Sequence, residues 1–113
     1  EFEIQSGDDS LTLPFMSVGA CGVVSVASNL IPSVMTDLVK AMAEGRLADA
    51  QAIHGKYYPL FSSFLKLDTN PVPIKTALGL VGHCSPDLRL PMVPMTEAKV
   101  AELRATIEEL GIQ

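Results

Sequence analysis

Gly22-Val23-Val24-Ser25-Val26 is the stretch that decides how this chain folds. It is a β-branched run bounded by glycine and by Ala27-Ser28-Asn29, which predicts a fully buried strand. Towards the N-terminus, Phe2-Glu3-Ile4-Gln5 alternates apolar and polar residues and predicts a second short strand. That strand runs into Ser6-Gly7-Asp8-Asp9, a turn cluster whose aspartates can cap a following helix. Between the two strands, Leu11, Phe15 and Val18 recur at helical spacing, with Pro14 tolerable in the first turn and Gly19 and Gly22 closing it. A strand, a helix and a strand in this order predict a βαβ unit with parallel strands.

Beyond Asn29 the pattern is helical. Pro32 suits a first helical position, and Val34, Met35, Leu38, Val39 and Met42 form an apolar stripe that Gly45 ends. A second helix is expected from about Arg46 to Leu67, with Leu47, Ala50, Ile53, Tyr57, Leu60, Phe61 and Phe64 inward and a kink or break at Pro59. Residues 68–73 read as a turn, 74–80 as a short helix ending near Gly79 or Gly82, and the spaced Pro86, Pro91 and Pro94 as an irregular connection. A last helix begins near Thr96, carries Val100, Leu103, Ile107 and Leu110, and ends at Gly111. Only two strands are predicted. A sheet that small leaves edges and an apolar face without partners, so the pattern reads as part of something larger.

Composition narrows the function. With 48% hydrophobic and 19% charged residues, the 113-residue chain has enough apolar content for a packed core and is expected to form one structural unit. A net charge of −5, with its eight basic residues scattered, argues against a nucleic-acid surface. There is no apolar run of membrane length and no leader pattern, so no membrane partner is expected and a cytoplasmic location is the default. Cys21 and Cys84 read as reduced, buried thiols. His54 and His83 lack partners at ligand spacing, so no metal and no cofactor is expected.

Four segments in one order carry a resemblance: Ser6-Gly7-Asp8-Asp9, Gly22-Val23-Val24-Ser25-Val26, Asn70-Pro71-Val72-Pro73-Ile74-Lys75 and Leu90-Pro91-Met92-Val93-Pro94. Their order and spacing resemble the dihydrodipicolinate synthase family, within the larger group that includes N-acetylneuraminate lyase. The resemblance implies an α/β fold: the C-terminal portion of a TIM (β/α)8 barrel, with strands seven and eight and their helices in residues 1–45 and a C-terminal helical extension in 46–113. It implies a site at the C-terminal strand ends. It also implies a reaction in which a strand-six lysine forms a Schiff base with pyruvate, and the resulting enamine attacks aspartate semialdehyde. Tyrosine and threonine hydroxyls would relay protons, and an arginine would help hold the second substrate.

Carried over by position, Val24 matches an aliphatic residue lining the pyruvate pocket, and Gly7 a strand-seven glycine where a side chain would crowd substrate. Asp8 and Asp9 lie at the same rim, where capping alone is the simpler role. Val24 is equally compatible with core packing, and Asn70 with turn chemistry before Pro71. Where the sialic-acid lyases carry Asp followed by Glu, this chain has Asp9 and Ser10, which favours the synthase branch. Val18 matches a position that packs against another subunit and is equally compatible with packing within its own; a homo-oligomer is expected.

No catalytic residue is expected within the chain, because Lys40, Lys56, Lys66, Lys75 and Lys99 fall outside the predicted strands and Tyr57 and Tyr58 fall in a helix. The leading expectation is therefore a synthase segment inactive by itself. The alternatives are a non-catalytic, self-assembling module built on a half-barrel, and a related keto-acid aldolase taking another aldehyde, such as N-acetylneuraminate lyase.

Overall fold

A computed structural model describes residues 2–113. Two strands, β1 (Gln5–Ser6) and β2 (Gly22–Val23), pair in parallel, Gln5 opposite Gly22 and Ser6 opposite Val23. Both are shorter than the alternation predicts. The ladder is extended by the Cys21 N–H donating to the Ile4 carbonyl at 2.9 Å and the Val24 N–H donating to the Ser6 carbonyl at 2.8 Å. Parallel strands need a crossover. Here it is a 3-10 turn, Asp9–Leu11, running into α1 (Thr12–Ser17).

Two expectations about this unit are corrected. The helical spacing of Leu11, Phe15 and Val18 does not make a buried face: they are 41%, 41% and 85% exposed, Leu11 and Val18 lie just outside α1, and Thr12 is the residue fully buried. The tighter 3-10 turn rotates the start of the helix, so a spacing counted from Leu11 does not carry through. Nor is the second strand buried on both faces. Val23 and Ser25 border a groove with Pro32, Met35 and Val39, whereas Val24 between them is 70% exposed. Alternation along the strand gives one face to the helix and leaves the other bare.

The 3-10 turn Ala27–Asn29 leads to α2 (Pro32–Ala43), with Pro32 in its first turn and Met35, Leu38 and Ala41 buried. Gly45, at φ +74°, reverses the chain into α3 (Leu47–Lys66). The expected break at Pro59 does not occur: α3 runs through it. Losing the N–H and crowding the preceding turn costs about 3 kcal/mol. Leu60, Phe61 and Phe64, all at most 1% exposed, follow at once, and each stabilises by about 1.5–3 kcal/mol. Leu47, by contrast, is half-exposed and not an inward residue. The chain divides into two compact units, one ending at Tyr58 and the other starting at Pro59, a division that falls within α3.

In the second unit α4 (Val72–Leu80) starts two residues before the expected Ile74. Pro73 stands in its first turn, where a missing N–H costs least. Gly82, at φ +78°, lies beyond its end, while Gly79 is interior. A Cβ on Gly79 would come within 2.9 Å of Pro86 Cβ, so the proline-rich connection lies directly on that helix. α5 (Glu97–Glu109) buries Leu103 and Ile107 against a largely polar remainder, and Thr96 precedes it without a side-chain cap bond. The Asn70–Pro71 and Leu90–Pro91 peptides are cis. Cys21 and Cys84 are free thiols but exposed, which corrects the buried reading; Cys21 lies just before β2, its thiol donating to the Ile4 carbonyl at 3.2 Å, and Cys84 lies in the connection after α4. Burial lowers the pKa of His54, on α3, below its ordinary 6.5.

Two outcomes follow from the second unit. Gly79→Ala should gain about 1 kcal/mol of helix propensity yet lose about 1–3 kcal/mol to overpacking against a rigid ring, a net destabilisation measurable by urea unfolding. Lys99 Nζ lies 2.8 Å from Asp68 Oδ2. That bond first, and the Thr69 N–H second, hold the Asp68 carboxyl below its ordinary 3.8. A depressed carboxyl pKa stabilises fully above 3.8 and ceases to do so as pH falls below it. Lys99→Met should therefore flatten the dependence of Tm on pH below 3.8, by a small amount that salt also removes.

Candidate functional site

Because β1 and β2 are parallel, the segments that leave them emerge at one end of the sheet. These are Ser6-Gly7-Asp8-Asp9 and Val24-Ser25-Val26-Ala27, the two segments that the sequence singles out. Ser6 is buried; its hydroxyl donates to the Asp8 carbonyl at 2.8 Å and accepts from the Asp8 N–H at 3.2 Å. Asp8 caps the 3-10 turn, its Oδ1 accepting from the Ser10 N–H and the Ser10 hydroxyl, both at 2.7 Å. The turn is thus self-contained.

Asp9 does something different. It is only 4% exposed, and its Oδ2 accepts from two consecutive backbone amides across the site, Val26 at 3.1 Å and Ala27 at 2.8 Å. These amides follow the last rung of the ladder, Val24 to Ser6. Once the first strand has turned away at Gly7, no backbone carbonyl of that strand continues the ladder, and the carboxylate supplies the next acceptor. Asp9 Oδ1 is buried as well, with no hydrogen-bond partner among the described residues. Ser25 and Ser28 close the second segment, the Ser28 N–H donating to Ser25 Oγ at 2.8 Å and the Ser28 hydroxyl to the Ser25 carbonyl at 3.0 Å.

The side-chain positions of Gly7 and Val24 take no part in either network. A Cβ added to Gly7 would meet nothing within 4 Å, and the backbone there does not require positive φ. The chain's own packing therefore gives no reason for glycine at that position. Of the expected site residues, the structure brings Gly7, Asp8, Asp9 and Val24 to one end of one sheet. Asn70 is exposed at the turn before α4. The five lysines lie on helices: Lys40 on α2, Lys56 and Lys66 on α3, Lys75 on α4 and Lys99 on α5. Tyr57 and Tyr58 lie on α3. No group of three or more metal-ligating side chains occurs among the described residues, and no helix there is long and apolar enough to cross a membrane. Sequence reasoning missed the long-range bonds of Asp9. The only signal for them is a second carboxylate directly after the one that caps, a pattern equally usual in a solvated turn.

A parallel βαβ unit with a glycine-aspartate turn at one strand end and an aliphatic strand end beside it defines a class, the α/β proteins whose sites lie at the carboxyl ends of parallel strands. Within that class the chain belongs to the dihydrodipicolinate synthetase family, which it matches over residues 1–110. The 4-hydroxy-tetrahydrodipicolinate synthase of Chlorobaculum parvum is 46% identical over 98% of this chain and 37% of its own length. The 4-hydroxy-tetrahydrodipicolinate synthase of Methylacidiphilum fumariolicum SolV superposes with a TM-score of 0.95 at 48% identity, over 98% of this chain and 37% of that one. The synthase of Acinetobacter baumannii, solved in complex with pyruvate, superposes with a TM-score of 0.93 at 28% identity, over 99% of this chain and 38% of that one. The chain thus spans little more than a third of the length of the relatives it matches.

The two kinds of rim residue should separate by substitution. Asp8→Ala removes both bonds to Ser10 and should cost about 0.5–2 kcal/mol in chemical denaturation. Gly7→Ala meets no obstruction in this chain and should leave its stability within about 0.5 kcal/mol.

Proposed function

We propose that these residues are the last two β/α units and the C-terminal helices of a (β/α)8 synthase that condenses pyruvate with aspartate semialdehyde. The observation that carries the reading is Gly7. It lies at a strand end with open space around it, which suits a glycine beside a bound substrate, and it stands within the stretch that matches the synthetase family over residues 1–110. Val24, 70% exposed beside it, fits a residue whose cover is substrate and neighbouring strands. The relatives' names favour the synthase over a sialic-acid lyase, and the pyruvate held by the Acinetobacter relative favours a keto-acid substrate. Asp8 and Asp9 would then shape the rim of the site. Because the lysines here stand on helices, the Schiff-base lysine is assigned to a strand outside this segment. The segment by itself would be inactive, and the whole enzyme would be an oligomer with Val18 at a subunit contact.

The open sheet face, with Phe2, Ile4 and Val24 all more than half exposed, also suits the second reading, a self-assembling half-barrel. Borohydride reduction in the presence of pyruvate, followed by intact mass measurement, separates the two. The 113-residue chain should gain no adduct, whereas the longer polypeptide containing it should gain a single carboxyethyl group, the reduced pyruvate imine, on a lysine outside it. An adduct on Lys40, Lys56, Lys66, Lys75 or Lys99 would overturn the assignment. A longer polypeptide that takes up no pyruvate, together with a 113-residue chain that assembles into a discrete oligomer, would favour the module.

A further inference from the structure

We propose that Asp9 is a positioning residue: its carboxylate ties the segment after β2 to the turn after β1, and through that tie sets where Val24 stands relative to Gly7. The proposal rests on the reading of this strand end as the substrate mouth. The sheet is two residues wide in its formal pairing, and its last backbone rung is Val24 to Ser6. Two residues later the chain must leave the strand and enter the 3-10 turn Ala27–Asn29. The first amides of such a turn have no acceptor within it. Asp9 Oδ2 takes the amides of both Val26 and Ala27 at 3.1 and 2.8 Å.

Charge-assisted bonds to backbone N–H groups are the stronger kind; here Asp9 is 4% exposed, the Ala27 bond is buried and the Val26 bond part-buried. Val24 lies between two anchors, its own N–H on Ser6 and the Asp9 tie two residues on. Its side chain is 70% exposed, so packing within this chain contributes little to its placement. The anchors carry that task. Since Asp9 also follows Gly7 by two residues in a turn fixed by Ser6 and Asp8, both expected pocket positions are referred to the same carboxylate.

The test combines amide exchange with kinetics of the complete polypeptide that carries this segment. Asp9→Ala should speed exchange at Val26 and Ala27 by about tenfold or more while Leu38 in α2 keeps its protection. It should raise KM for pyruvate by about tenfold with kcat changed less than about threefold, the mark of displaced binding groups in a protein still folded. Asp9→Asn retains one oxygen able to accept from both amides, and should keep KM within about threefold of the unsubstituted protein. Val26→Pro deletes one donor at a residue whose φ of −76° already suits proline, and should raise KM by an intermediate factor.

Unchanged exchange at the two amides in Asp9→Ala, or exchange rising uniformly along the chain with KM unmoved, would overturn the proposal. If Asp9→Ala does not fold, Val26→Pro decides: a raised KM upholds the tie and an unchanged one overturns it. Failure of the unsubstituted polypeptide to condense pyruvate would defeat the functional reading. The exchange at Val26 and Ala27 would still uphold or overturn the tie itself.

Discussion

Everything at the candidate site depends on how two parallel strands end. A parallel ladder stops where one strand turns away, and the other strand then carries amides with no rung to meet. Water could take them at an exposed end. Here the end is partly enclosed, and an unmade bond to a buried N–H costs about 1–3 kcal/mol. One carboxylate, Asp9, resolves this for two amides at once. Its neighbour Asp8 is spent on its own turn, satisfying Ser10. The adjacent aspartates therefore divide the work between local capping and long-range tying.

That division explains what the sequence revealed and what it hid. The helices were legible because their signals are local. Pro32 and Gly45 bound α2, and Leu103 and Ile107 stand a turn apart on α5. The order strand, helix, strand gave the parallel pairing. Where an outcome depended on competition between effects, the sequence was ambiguous. Pro59 carries a break signal, yet burial of Leu60, Phe61 and Phe64 outweighs it. Thr12, a polar residue, is buried in place of Leu11 and Phe15, because a 3-10 turn shifts the face of α1. The pairing of Asp9 with amides 17 and 18 residues away has no periodic signature at all.

The second unit shows the same physics. Its buried residues are apolar, and its irregular connection is held by close contact of Pro86 with Gly79. Glycine there is a packing requirement. Gly45, Gly82 and Gly111 are conformational ones, at φ of +74°, +78° and +67°.

Gly7 is neither, and nor is Gly55 on α3, but Gly7 alone of the two stands at a strand end. Around Gly7 the polar groups, Asp9 Oδ1 apart, have partners readable from the chain: Ser6 and Asp8 bond each other, Asp9 Oδ2 bonds Val26 and Ala27, and Ser25 bonds Ser28. Gly7 and Val24 are the two positions at this end whose side-chain size the chain does not dictate, one with room for a Cβ and the other bare to solvent. A scaffold residue is explained by what it touches within the fold. On the proposed reading these two positions have their partners elsewhere, in a substrate or in strands that complete the sheet. The two are compatible, because a pocket at a strand end is bounded by strands and filled by substrate.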